Sequence, residues 1–139
     1  MENLSKSSLD IAAQKCALRL AMHELLAKVS ATRRQEARAT AFERLCPLMA
    51  SYRRVLSFAS LPEEVDLLPI NTHLCDRHAL CLPCVEGECL RLFAVESLVD
   101  DLIQNRWGIW EPLLGRCKEL ALADIDAILV PGLAFDKAH

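Results

Sequence analysis

The stretch Asp126-Ala127-Ile128-Leu129-Val130-Pro131-Gly132 decides the class of fold. It is a continuous apolar run that opens on a charged residue and closes on Pro-Gly, which is typical of a strand buried in a parallel sheet. Three more apolar runs precede it, at 55–59, 79–85 and 89–95. Glu86-Gly87-Glu88, between the last two of these runs, predicts a hairpin turn.

Helices are predicted before the first of these runs. Residues 5 to about 50 contain no Gly or Pro before Pro47, and apolar residues recur there at three- and four-residue spacing. Ser30 and Thr32 offer caps for the start of a second helix, and Pro47 is expected to end or kink it. A further short helix is predicted from 65 to about 74. Together the elements predict a three-layer, Rossmann-like α/β domain with a mainly parallel central sheet and two N-terminal helices.

Length and composition limit the class of protein. The chain has 139 residues, 53% of them hydrophobic, and a net charge of −3, so we expect one compact domain over 1–139 and no overall attraction to nucleic acid. The longest uncharged stretch, Ala127–Phe135, is far shorter than the ~20 residues that cross a bilayer. The first residues show no apolar segment of a signal peptide, which predicts a cytoplasmic protein with no membrane contact.

Seven cysteines raise the question of a metal or redox site. His73, Cys75, His78, Cys81, Cys84 and Cys89 lie close together in sequence, and Cys81-Leu82-Pro83-Cys84 has the spacing of a zinc knuckle. The two cysteines lie in an apolar strand, however, where an odd separation points them to opposite faces. We therefore predict free thiols and no metal ligand in this chain.

Two other groups of residues have a plain structural explanation beside a functional one. Six arginines form a basic band on the second helix and just after it, but acidic residues interleave with them, which favours a solvated helix face over a nucleic-acid site. Trp107 and Trp110 either cover a flat ligand ring or hold a loop against the core.

Ligand-binding candidates stand at two places. Lys15 and Arg19, at i and i+4, share one helix face and can reach a single polyphosphate, although such pairs are usually only solvated. Glu64 follows the run at 55–59, and Pro131, Gly132 and Asp136 follow the run at 126–130. In a parallel α/β sheet both loops emerge at the carboxyl ends of strands, where ligands bind. Glu64 either accepts hydrogen bonds from a heterocycle or caps a solvated turn.

In their order along the chain these segments resemble the 5-formyltetrahydrofolate cyclo-ligase family, also called methenyltetrahydrofolate synthetase. The similarity covers nearly the whole chain and is most specific in its last two segments. The matching segments are Lys15-Cys16-Ala17-Leu18-Arg19, Ser57-Phe58-Ala59-Ser60-Leu61-Pro62-Glu63-Glu64-Val65-Asp66, Leu82-Pro83, Gly108-Ile109-Trp110-Glu111-Pro112 and Asp126-Ala127-Ile128-Leu129-Val130-Pro131-Gly132-Leu133-Ala134-Phe135-Asp136.

The resemblance implies an ATP- and Mg²⁺-dependent ligase acting on a reduced folate. ATP would phosphorylate the formyl oxygen, a folate nitrogen would attack the activated carbon, and phosphate would leave to give 5,10-methenyltetrahydrofolate. By position, Lys15 and Arg19 would contact the ATP phosphates, and Ala59 and Glu64 would line the folate site. The loop at Pro131, Gly132 and Asp136 would lie where the two substrates meet; the resemblance points to no catalytic residue here.

The resemblance also implies a difference from the family. The family continues past this segment into a glycine-rich stretch that supplies nucleotide and Mg²⁺ contacts, whereas this sequence stops at His139. We therefore expect weak ATP affinity and little turnover from this polypeptide. The alternative is an inactive relative that binds folate or a protein partner without turnover. A monomer is expected, with self-association through surface that the missing segment would cover.

Overall fold

The computed structural model describes the backbone of residues 2–135 and the side chains of residues 10–135. Three helices form within this part: α1 (Glu2–Ala27), α2 (Ala31–Met49) and α3 (Leu68–Asp76). The two predicted N-terminal helices are confirmed. Ser30 caps α2, because its Oγ accepts the backbone N–H of Arg33 at 3.2 Å. Pro47 lies in the last turn of α2, and the helix ends two residues later.

Seven short strands form two sheets. The main sheet has the order β6-β3-β2-β1-β7, and a separate two-stranded ribbon pairs β4 with β5. The strands are β1 (Val55–Leu56), β2 (Leu80–Glu86), β3 (Cys89–Ala94), β4 (Leu102–Gln104), β5 (Trp110–Pro112), β6 (Lys118–Leu120) and β7 (Ala127–Ile128).

The α/β class is confirmed, and the main sheet is mixed. β1 pairs in parallel with β2 on one side and with β7 on the other, whereas β3 pairs antiparallel with both β2 and β6. The parallel part therefore consists of three neighbouring strands. The predicted hairpin is also confirmed, because Glu86 pairs with Cys89 and only Gly87 and Glu88 form the loop.

The parallel strands β1 and β7 are shorter than the apolar runs that predict them. Ser57 still donates its backbone N–H to the carbonyl of Cys81, but the next carbonyl, that of Phe58, accepts the side-chain amide of Asn71 at 3.0 Å. A side chain therefore replaces the neighbouring strand as hydrogen-bond partner, and the chain turns away from the sheet.

The larger hydrophobic core lies between the sheet and the helices α2 and α3. Ile70 and Leu74 of α3 are fully buried, and Cys46 and Met49 of α2 pack in the same cluster. By contrast, no side chain of α1 from residue 10 onward is buried, and Leu18 and Leu25 are each 56% exposed. The apolar stripe of α1 is thus covered only in part, at Met22 and Leu26.

The end of α3 is a Schellman motif with His78 in the position that glycine usually occupies. The N–H of His78 donates to the carbonyl of Cys75, the N–H of Ala79 donates to that of Leu74, and the φ of His78 is +56°. An L side chain in the left-handed region costs about 1 kcal/mol or more.

Replacing His78 by Gly is therefore expected to raise the free energy of unfolding by up to about 1 kcal/mol, measured by urea denaturation. Gly87→Ala is the matched opposite. Gly87 has a φ of +62° with no atom within 4 Å of an added Cβ, so its replacement should lower stability through backbone strain alone. An H78G protein less stable than the parent would contradict the expectation.

Candidate functional site

The candidate site lies at the carboxyl ends of β1 and β7. From β1 the chain passes through α3 to β2 on one side, while β7 pairs with β1 on the other side. The strand order therefore reverses at the boundary between β1 and β7, because the chain adds β2 on one side of β1 and β7 on the other. In α/β sheets a ligand crevice forms outside the carboxyl ends of the strands at such a point.

The loops that follow β1 and β7 border a cavity of about 360 Å³ at this point. Glu64 comes from the first loop, Pro131 and Gly132 from the second, and Arg19 from α1. The structure thus brings together four of the residues that the sequence singles out. A cation and a carboxylate that line one cavity can bind a ligand that carries both an anionic group and N–H donors.

A second cavity of about 430 Å³ adjoins the first and shares Glu64, Pro131 and Gly132 with it. Its remaining lining is mostly apolar and comes from both loops and from α1 and α2. The ring of Phe135 lies over Gly132 in the lining of this cavity, so close that an added Cβ at position 132 would clash with the ring. Phe135 is 76% exposed, so the ring covers the loop and is not part of the core.

Two of the predicted site residues, Lys15 and Ala59, lie elsewhere. Lys15 stands one turn before Arg19 on α1 and lines neither cavity. Ala59 lines a third cavity of about 420 Å³, together with Ser60, Asn71, Leu82 and Trp110. Asp136 lies outside the described residues. The loop after β1 therefore contributes to all three cavities, Glu64 to the first two and Ala59 to the third.

Glu64 closes its own turn with one carboxylate oxygen. Oε2 accepts the backbone N–H of Leu61 at 2.8 Å, and the backbone N–H of Glu64 donates to the carbonyl of Leu61 at 3.0 Å. Oε1 makes no hydrogen bond to any residue of the described part of the chain. Both explanations offered for Glu64 are therefore compatible: one oxygen caps a turn, and the other is free for a ligand.

A buried polar pair holds this loop, and the sequence analysis missed it. Ser57 and Asn71 are 2% and 5% exposed, and the Ser57 hydroxyl donates to Asn71 Oδ1 at 2.6 Å. The Asn71 amide then donates to the carbonyl of Phe58. The sequence feature that could have revealed this pair is Asn71, a polar residue among the apolar residues of α3. Buried polar groups need partners, so this pair fixes where the loop leaves β1.

Arginines of the basic band also tie the site together. Arg34 donates to the carbonyl of Leu26 at the end of α1 at 2.6 Å, and to that of Pro62 at 3.1 Å. Arg38 pairs with Asp66 at 3.0 Å. The interpretation of this band as a solvated face is therefore wrong for Arg34, because its guanidinium connects α1 to the turn that carries Glu64.

Both tryptophans lie outside the core. Trp107 is 65% exposed, and the guanidinium of Arg106 stacks on its ring at 4.0 Å. Trp110 is 49% exposed and borders the cavity that Ala59 lines. The neighbouring Glu111 accepts the side-chain amide of Asn105 at 2.9 Å. The position of Trp110 fits the covering of a flat ligand ring better than that of a loop held to the core.

The cysteines are free thiols, as predicted. Burial raises the pKa of Cys46, Cys75, Cys81, Cys84 and Cys117, so these side chains stay protonated and unreactive near neutral pH. Within the part of the chain that the structure describes, no three His, Cys, Asp or Glu side chains lie close enough to hold a metal ion. No helix in that part is long and apolar enough to span a membrane.

Comparison with known proteins agrees with this arrangement. The sequence pattern of the 5-formyltetrahydrofolate cyclo-ligase family matches residues 11–138. The fold is similar to that of 5,10-methenyltetrahydrofolate synthetase from Aquifex aeolicus, solved by NMR, with a TM-score of 0.78 and 30% sequence identity. The match covers 88% of this chain but only 62% of the Aquifex chain. No curated protein sequence matches. The chain belongs to the 5-formyltetrahydrofolate cyclo-ligase family.

Proposed function

We propose that the chain acts in the ATP-dependent conversion of 5-formyltetrahydrofolate to 5,10-methenyltetrahydrofolate, with release of ADP and phosphate. The observation that carries the proposal is the shared cavity of Arg19 and Glu64 at the carboxyl ends of β1 and β7. Family membership supports the reaction class. The chain is proposed to form a single domain and to work in the cytoplasm as a monomer.

The residues of the cleft divide between the two substrates. Arg19 would bind the ATP phosphates with its guanidinium, which matches phosphate oxygens in a bidentate way. Lys15 lies one helical turn, about 5 Å, before Arg19 on α1. It would contact the same nucleotide where the bound phosphates extend that far along the helix. Glu64 would accept N–H donors of the pterin through its free oxygen, and Ala59 would contact the folate from the adjacent cavity.

In the proposed reaction the formyl oxygen attacks the γ-phosphorus of ATP, and the bond from that phosphorus to ADP breaks. The neighbouring folate nitrogen then attacks the formyl carbon and loses its proton to solvent, and the carbon–oxygen bond breaks as phosphate leaves. The chain's contribution is to hold the two substrates in contact and to offset phosphate charge. Pro131 and Gly132 line the same cavity as Arg19 and Glu64 and would border the reacting groups, with Asp136 proposed nearby.

Mg²⁺ fits this cleft poorly as a protein-held ion. Mg²⁺ prefers several oxygen ligands in octahedral geometry, and the described lining of the two cavities offers carboxylates only at Glu63 and Glu64. No step is therefore assigned to a metal bound by these residues.

The second candidate is a folate-binding relative without turnover. It is favoured by the small number of cations at the cleft, because Arg19 is the one cationic side chain lining either cavity in the described structure. Phosphoryl transfer depends on neutralising the charge of three phosphates. A single guanidinium offsets only part of that charge.

Calorimetric titration with 5-formyltetrahydrofolate separates the two candidates. In the proposed enzyme, ATP with Mg²⁺ strengthens folate binding, and absorbance shows formation of the methenyl product, slowly if ATP binds weakly. Folate binding that nucleotide leaves unchanged, with no product, would support the second candidate. No folate binding in a folded protein would contradict both.

A further inference from the structure

A second polar pocket lies at the opposite end of the parallel strands. It has a volume of about 360 Å³ and is formed where α2 leads into β1 and where α3 turns into β2. Asp126, at the start of β7, accepts the backbone N–H groups of Arg53 and Arg54 at 2.8 and 2.9 Å beside it. The pocket therefore stands at the amino ends of the strands, away from the cleft of Arg19 and Glu64.

Cationic side chains dominate this pocket. Arg53, Arg54, Arg77 and His78 line it, and its lining contains no carboxylate. Among the described residues, none of the three guanidinium groups forms an ion pair with Asp or Glu. Asp126 is the nearby acid, and one of its oxygens is held by two backbone N–H groups.

Hydrogen bonds to neutral groups hold the Arg77 guanidinium in place, and no carboxylate of the described residues pairs with it. Its guanidinium donates to the carbonyls of Met49, Ala50 and Tyr52 at 3.3, 2.9 and 3.1 Å. These neutral acceptors lie at the carboxyl end of α2, whose dipole offsets about half of one unit charge. An excess of positive charge therefore remains in the pocket, and one of its cations is already ordered before any ligand arrives.

The arginines that line this small polar pocket suit a tetrahedral oxyanion. Guanidinium forks match phosphate oxygens in a bidentate way and are less strongly hydrated than ammonium groups. The volume lies at the lower end of the range for small-ligand sites. The net charge of −3 for the whole chain opposes binding of an extended nucleic acid.

We propose that this pocket binds a phosphate group, either inorganic phosphate or the phosphoryl end of a small phosphorylated metabolite. Arg53 would contact the oxyanion from the segment before β1, and Arg77 would hold it from the turn after α3. The site is separate from the proposed folate and ATP cleft and does not depend on the function proposed for that cleft.

The test is an NMR titration of the full chain with inorganic phosphate, pyrophosphate and ribose 5-phosphate, with ionic strength held constant by chloride. Saturable shifts are expected at the amides of residues 52–54 and 77–79. Arg53→Ala should weaken binding about tenfold, because it removes a charge-assisted contact of an exposed side chain. Arg53→Lys, which keeps the charge but not the fork, should weaken binding less.

Arg33→Ala is the matched control. It removes the same charge from an exposed arginine at the start of α2, far along the helix from the pocket, and should leave phosphate affinity unchanged. Tighter binding of ribose 5-phosphate than of inorganic phosphate would identify a metabolite as the ligand, and the reverse would identify the free ion. Equal weakening by R33A and R53A, shifts confined to the cleft of Arg19 and Glu64, or stronger binding of an oligonucleotide would overturn the proposal.

Discussion

Glu64→Gln is expected to weaken the binding of 5-formyltetrahydrofolate by about tenfold to a hundredfold, because hydrogen bonds to a charged acceptor contribute about 1.5–3 kcal/mol each. The Gln carbonyl can still accept the backbone N–H of Leu61, as Glu64 Oε2 does at 2.8 Å. The turn therefore stays closed while the charge at the cleft is lost. Calorimetry measures the affinity, and urea denaturation should show stability unchanged within about 0.5 kcal/mol.

Glu63→Gln is the control for this change. Glu63 is the adjacent residue, it lines only the more apolar of the two adjoining cavities, and it makes no side-chain hydrogen bond within the described structure. Its replacement removes the same charge from the same loop and should change folate affinity less than threefold. Equal effects of E63Q and E64Q would show that the loop acts through its overall charge. Wild-type affinity in E64Q would remove Glu64 from the proposed site.

Asp101→Asn is expected to lower the free energy of unfolding by about 2–4 kcal/mol. Asp101 is 8% exposed and accepts on both oxygens: the backbone N–H groups of Glu96 and Ser97 at 2.9 Å on Oδ2, and Arg116 Nε at 2.8 Å on Oδ1. An Asn side chain has one acceptor and places an NH₂ group against donors on its other side. At least one buried donor is then left unpaired.

Asp100→Asn is the matched control, since Asp100 is exposed and bonds mainly to the Ser97 hydroxyl at 2.9 Å. Denaturant unfolding of both variants should show a large loss of stability for D101N and a change within about 0.5 kcal/mol for D100N. A loss of similar size in both would mean that local charge, and not the buried hydrogen bonds, matters at this turn.

The Asp101 carboxylate also makes the stability of the fold depend on pH. Burial acts to raise the pKa of Asp101, but the hydrogen bonds from Glu96, Arg116 and Ser97 outweigh it, so the pKa falls below its ordinary value of 3.8. A lowered pKa in the folded state means that the unfolded chain takes up a proton first as pH falls. The contribution of Asp101 is therefore complete above about pH 5 and is lost as pH falls through the folded-state pKa. D101N should flatten this part of the stability curve.

Local pattern was sufficient for most of the secondary structure. The hydroxyl of Ser30 marked the start of α2, and the two residues between Glu86 and Cys89 marked the hairpin, because caps and tight turns depend on neighbours in sequence. A helix is predicted from 65 to about 74, and α3 begins at Leu68 with Pro69 in its first turn, where a missing N–H costs little. The predicted helix therefore forms, and it begins and ends a few residues later than predicted.

Local sequence patterns did not predict the contacts between residues that lie far apart in the chain. The apolar residues of α1 recur at helical spacing, but Leu18 and Leu25 are each 56% exposed. The role of Asn71 depends on distant partners, because its side-chain amide bonds Ser57 and Phe58, which lie 14 and 13 residues away. Arg77 likewise gained significance only through its contacts with residues 25–28 positions earlier.

Sequence alone determined the α/β class, the order of the three α-helices and of strands β1, β2, β3 and β7, and the resemblance to a folate ligase, since short-range periodicity and ordered motifs record these features directly. The short strands β4, β5 and β6 were not predicted. Tertiary structure alone decided that Arg19 and Glu64 share a cavity, that Ala59 borders a different one, and that Arg53 and Arg77 line one pocket at the far end of the sheet. These placements depend on how β1 pairs with β2 and β7. Pairing of distant strands is set by the balance of burial and chain entropy over the whole domain, which no local segment encodes.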